Sequence, residues 1–176
     1  TKIFSQSEKM STIQINYFGS SILGSPSSYL FENSPTGLLT GVDIKLIQPL
    51  KNNKTNLFIG STYFTGNDLG SSQRNSTYGG GVYVGPYIKL KYGILDISPY
   101  IGLGLFNVHH DYWMVTNNVE FFNQTNFTSF GTKSGLQLCL NIKAIRLNIG
   151  YQLFTTSGEE TTLMYHGIEG GIGVNF

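Results

Sequence analysis

Charge is scarce in this sequence. Asp, Glu, Lys and Arg make up 12% of its 176 residues, against about 25% in ordinary soluble domains. With a formal net charge of only +1, nothing suggests an electrostatic nucleic-acid surface, which needs a basic excess. Cysteine is nearly missing as well. Cys139 is the single one, so an internal disulfide is ruled out, and the thiol reads as small apolar filler. No apolar run approaches the ~18 residues of a spanning helix, which excludes a helical membrane protein. A spanning β-barrel is not excluded, because alternation hides its apolar face from window averages. Residues 1–10, TKIFSQSEKM, are polar and lack the apolar core of an export signal. They read as the start of a mature chain, a short periplasmic extension with its signal removed.

What is abundant is glycine and aromatic side chains: 22 Gly with 11 Tyr and 12 Phe, a strand-rich composition. Reading at period two gives eight candidate strands, roughly 11–18, 37–47, 55–65, 78–91, 94–106, 127–140, 144–154 and a last one ending at Phe176. One face of each is apolar, as in Leu95, Ile97, Pro99, Ile101, Leu103 and Leu105. The strand charges Asp43, Lys45, Lys89, Lys91, Asp96, Lys133, Arg146 and Glu169 all fall on the opposite, Gly-rich and polar face. A soluble barrel turns its charged face to water and buries its leucines, and a membrane barrel does the reverse. The few strand charges favour the membrane arrangement, and closure into a barrel then pairs every backbone group exposed to lipid. A soluble ligand-binding β-barrel is the remaining all-β alternative.

The connections after strands two, four and six are short, and those after one, three, five and seven are longer. This rhythm predicts an all-β, eight-stranded antiparallel up-and-down transmembrane β-barrel over residues 11–176. It places the termini in the periplasm and the long loops outside the cell. A two-residue turn at Tyr92 and Gly93 would set Lys91 opposite Ile94, Lys89 opposite Asp96, Tyr83 opposite Gly102, Gly85 opposite Tyr100 and Pro86 opposite Pro99. An eight-stranded barrel is just wide enough for side chains to fill. Tyr83, Tyr87, Tyr100 and Phe106 are therefore predicted to plug it, around a lumen polar network of Asp43, Lys45, Lys89, Asp96, Lys133, Arg146 and Glu169. Buried charges must be paired to be tolerated.

Strand rhythm, lumen charges and the closing GGIGVNF together resemble the OmpA/OmpX-type family of small eight-stranded outer-membrane barrels. The resemblance implies a Gram-negative outer-membrane barrel surrounded by lipid and lipopolysaccharide. It also implies insertion by an assembly machinery that reads the last strand through Gly171, Gly173, Val174 and Phe176. It carries no catalytic motif and implies no cofactor.

The third long loop is expected to hold His109, His110, Asp111, Tyr112 and Trp113 as surface contacts, with Tyr112 and Trp113 at the membrane interface or against a partner. The His-His-Asp cluster has no spaced partner that fixes a metal. His166 is expected to face lipid near the outer end of the final strand. Tyr17, Phe18, Tyr63, Phe64, Phe154 and Tyr165 read as an aromatic girdle. The function expected is structural, adhesive or accessory within a larger outer-membrane complex, without chemistry of its own. The alternative is a lipid A-modifying barrel enzyme, for which no strand-borne His-x-Ser pairing appears.

Overall fold

The computed structural model describes residues 10–22, 38–50, 55–69, 73–116, 119–157 and 162–176. The expected extension over residues 1–10 lies outside this set except for Met10. The described elements are all strands: β1 (Thr12–Ile22), β2 (Leu38–Pro49), β3 (Thr55–Leu69), β4 (Gln73–Ile88), β5 (Leu90–Tyr92), β6 (Leu95–Thr116), β7 (Val119–Ile142), β8 (Ile145–Ser157) and β9 (Thr162–Asn175). β4 and β5 are two parts of one crossing interrupted at Lys89, and both pair with β6. The β1–β9 and β4–β6 ladders close the sheet, giving an eight-stranded, wholly antiparallel barrel. The ends meet at Ser11 and Phe176, whose backbones exchange two hydrogen bonds of 2.9 Å.

Alternation sorts the side chains as the sequence pattern predicts. Ile13, Ile15, Ile44, Ile59, Leu103, Leu138, Ile149 and Ile172 stand on the outside, and Asp43, Lys45, Asp96, Lys133, Arg146 and Glu169 are buried inside. Leucines outside and ions inside is the inverse of a soluble barrel, so the chain is a transmembrane one.

The interior has two storeys. One is polar. Beyond it toward the long-connection end lies an aromatic one, in which Phe106 and Phe154 approach to 4.6 Å between ring centroids and Phe154 stacks on Tyr165 at 5.8 Å. Four residues expected in the girdle, Phe18, Phe64, Phe154 and Tyr165, belong to this core, because they share strand parity with the lumen residues. Tyr17 and Tyr63 do stand outside.

Large rings fit a narrow barrel because glycines face them. A Cβ on Gly60 would lie 2.5 Å from the Tyr83 ring, and one on Gly41 2.5 Å from Phe18. Similar contacts set Phe64 over Gly79, Phe106 over Gly81 and Tyr100 over Gly135. Each of these pairs is directly cross-strand.

The register of the fourth crossing differs from the expected one by two residues. Tyr92 pairs with Leu95, so the turn is Gly93–Ile94, and Lys91 rather than Lys89 lies opposite Asp96. Gly93 takes φ 68° at the first central position, where a type II′ hairpin turn calls for glycine. Tyr83 consequently pairs with Gly104 and Tyr87 with Tyr100. The prolines do not share a rung: Pro86 pairs with Leu57 and Pro99 with Leu136. The β4–β6 ladder skips Gly85 and Pro86, where the missing N–H falls.

Candidate functional site

Three places gather chemistry: the polar lumen, an arm beyond the barrel, and a notch in the outer wall. In the lumen, Glu169 on β9 is the hub. It accepts from Lys45 at 3.1 Å, Tyr100 at 2.8 Å, Gln137 at 2.9 Å and Asn16 at 3.3 Å. Lys45 also lies 3.1 Å from Asp43, which is 3.2 Å from Lys133 and accepts from the Tyr83 hydroxyl. Gln137 accepts from Tyr87, whose oxygen takes a bond from Arg146 at 2.9 Å, and Arg146 pairs with Asp96 at 3.2 Å. Lys45, Lys133 and Arg146 thus balance Asp43, Asp96 and Glu169 in one connected chain. Lys89 stands half-buried at the short-turn rim, and the ion-pair partner of Asp96 is Arg146.

This lumen is packed rather than open. Arg146, Tyr83, Tyr87, Tyr165, Phe58 and Phe106 are fully buried in it. A cavity of about 10 Å³ lies where the two storeys meet, room for one water at most. The arrangement holds charge in place, and among the described residues the lumen is filled by side chains.

The arm is where the third long loop was expected. β6 and β7 run on as a hairpin to the Thr116–Val119 rung, so His109, His110, Asp111, Tyr112 and Trp113 lie on β6 and not on a loop. The sequence hides this because polar and aromatic residues mixed at both parities give no clean period of two. β7 joins β8 only from Phe130 onward. Residues 119–129 of β7 therefore pair with β6 alone among the described residues, leaving a free edge about 35 Å long. Val119, Phe121 and Phe122 are exposed there.

Strand alternation also divides the histidines. His109 faces outward, 3.1 Å from Asp111, and packs on Tyr78 at 4.5 Å between ring centroids. His110 turns the other way and shares a 2.7 Å hydrogen bond with Thr77. Burial pushes its imidazole below the ordinary value. The three residues do not converge on one point.

The notch was not legible in the sequence, apart from His166. On the outer wall, Ser21 lies directly across from His166 and Gly19 across from Ile168. The Tyr151 oxygen is 2.6 Å from His166 Nδ1. Only the β1–β9 and β8–β9 registers bring these residues together, and register between the first and last strands is invisible to a local reading. Gly171 and Gly173 of the closing strand face the lumen, and Val174 and Phe176 stand outside with 53% and 62% exposure.

No family model and no curated protein matches this sequence. Its backbone does match solved structures. The attachment invasion locus protein Ail of Yersinia pestis superposes with TM-score 0.62 at 15% identity, over 96% of this chain and 99% of Ail. Neisserial surface protein A gives TM-score 0.59 at 14% identity, over 94% of this chain and 97% of that one. A major outer-membrane protein of Thermus thermophilus gives 0.52 at 10%, over 93% and 99%. At these identities the likeness is one of fold: the small eight-stranded outer-membrane barrel.

Proposed function

We propose that this chain resides in a bacterial outer membrane, with termini periplasmic and the β6–β7 arm extracellular, and works by contact. Its role is adhesive or that of an accessory subunit in a larger outer-membrane complex. The observation that carries this reading is the arm. An unpaired strand edge offers a row of N–H and C=O groups to a partner strand, and apolar side chains beside it supply the anchoring area. A lumen filled by the described side chains suits contact rather than conduction. Insertion would be directed by Gly171, Gly173, Val174 and Phe176 at the closing strand, read by the assembly machinery.

Ail has also been solved with the heparin analogue sucrose octasulfate, at TM-score 0.63 and 16% identity to this chain. Polyanion binding does not transfer well. Read along the sequence, residues 23–37, 67–76, 107–129 and 158–161 carry Glu32, Asp68, Asp111, Glu120, Glu159 and Glu160 against Arg74. A neutral or cationic partner suits that balance. The test is extraction in mild detergent with wild type and with Phe121→Ser/Phe122→Ser. A larger outer-membrane protein should accompany the wild type and be lost from the variant. Wild type that always emerges alone contradicts the proposal.

One observation favours the enzyme reading: on the lipid-facing wall Ser21 lies directly across from His166 in the strand register, and His166 shares a hydrogen bond with Tyr151, the residue types of a nucleophile, a base and an orienting partner. Expression should then alter lipid A acylation, and Ser21→Ala should abolish the change. An unaltered acylation pattern removes this reading.

A further inference from the structure

The outer wall is not evenly covered. Where β8, β9, β1 and β2 run side by side toward the arm end, two outward positions carry no side chain. A Cβ on Gly19 would meet nothing within 4 Å, and one on Gly170 only the Asn148 carbonyl at 3.7 Å. The result is a groove of about 670 Å³, bordered by Tyr17, Leu38, Tyr151 and Ile168 and reaching His166 at its upper end. Its walls continue the apolar belt that the barrel turns to hydrocarbon.

The polar end of the groove distinguishes it from a mere dent. Tyr151 and His166 share one hydrogen bond of 2.6 Å. If the phenol donates to Nδ1, the imidazole keeps an N–H at Nε2. If Nδ1 donates instead, the phenol keeps its O–H. In either tautomer one donor remains unused by the pair, on a surface where unsatisfied polar groups are costly.

We propose that this notch is a specific lipid A site. One acyl chain lies across Gly19 and Gly170, and the His166–Tyr151 pair donates to the phosphate or acyl carbonyl at the head of that chain. The choice of lipid A rests on the orientation given under Proposed function, which sets this end of the barrel in the outer leaflet. The amphipathic match itself does not depend on orientation: an apolar trough ends in one hydrogen-bond donor, as the lipid's apolar chain ends in acceptors.

The experiment is native mass spectrometry of the purified barrel in detergent, titrated with lipid A and separately with phosphatidylglycerol. Wild type should hold one lipid A through the micelle-stripping step and hold phosphatidylglycerol more weakly. Gly19→Leu fills open space, so the fold is kept and the trough is blocked. His166→Ala removes the donor. Each should lower the retained fraction roughly fivefold, the scale of one hydrogen bond or a similar loss of packing. Phe130→Leu, beside a separate outward groove with Leu103 and Leu105, should leave retention unchanged. Equal retention in wild type, Gly19→Leu and His166→Ala overturns the site, as does phosphatidylglycerol held as firmly as lipid A. Labelling of the arm on intact cells reports orientation independently, so a failure of the groove and a failure of the orientation are told apart.

Discussion

Glu169 on the last strand and Lys45 on the second face each other across β1, carboxylate to ammonium at 3.1 Å, and neither touches solvent. Two charges so placed are tolerable only because each is met by others. Glu169 also takes bonds from Tyr100, Gln137 and Asn16, and Lys45 also meets Asp43 and lies 3.9 Å from the Tyr100 ring centroid. The network ties strands β1, β2, β6, β7 and β9 together through the lumen. Removing one member therefore strands the rest. Glu169→Ala should cost about 3–5 kcal/mol, read from urea unfolding in vesicles by far-UV circular dichroism. Glu169→Gln should cost less, since it keeps hydrogen-bonding capacity beside Lys45. Equal stability of wild type and Glu169→Ala would show that the lumen charges are not coupled.

The fit of ring against glycine makes a second prediction. The nearest atoms to a Cβ on Gly60 all belong to Tyr83, whose hydroxyl is held by Asp43. Gly60→Ala should destabilise by about 1–3 kcal/mol, the usual scale of overpacking, by pushing the ring off its acceptor. Tyr83→Phe should then cost less in the Gly60→Ala background than in wild type, because the hydrogen bond it removes is already weakened. Additive costs in that double-mutant cycle would separate the two residues.

Much of this architecture is written in alternation. The parity of Asp43, Lys45, Lys133, Arg146 and Glu169 against Ile44, Leu138 and Ile149 identifies a barrel turned inside out, because one period-two pattern serves every strand. Details that depend on register do not show. Gly93 is legible as a turn residue, but whether it takes the first or second central place decides the β4–β6 pairing by two residues. Phe18 and Phe64 read as girdle because an aromatic near a strand end suits either face until the neighbouring glycine is located. The arm reads as a loop because polar and aromatic residues from His109 to Trp113 follow one another in the sequence without an apolar alternation.

The arm predicts a difference between binding and stability. Phe121 and Phe122 are 52% and 66% exposed, so replacing both with Ser should change unfolding by no more than about 0.5 kcal/mol each. Attachment to host cells or to a partner barrel should fall sharply. In the same assays, wild type should pass unretained through immobilised heparin at physiological salt. Firm retention there would contradict the acidic character assigned to the arm end.

Charges on the outer wall should be punished by depth. Leu103 stands 64% exposed in the middle of β6, and Leu103→Arg should lose about 2–4 kcal/mol in vesicles. Gln124→Arg, on the arm, should be close to neutral. The contrast is read from the urea midpoints of the two variants, and similar midpoints would mean that Leu103 does not face hydrocarbon.

The most direct measurement uses tryptophan as a depth probe. With the single native tryptophan removed as Trp113→Phe, new ones are placed at Ile44, Leu103 and Leu138, one per variant, and the barrel is folded into vesicles containing brominated acyl chains. Blue-shifted emission, strongly quenched by bromine near the bilayer centre, is the result this structure predicts at all three positions. Red-shifted emission that bromine leaves untouched but aqueous acrylamide quenches would place the leucine face in water and contradict a membrane-spanning barrel.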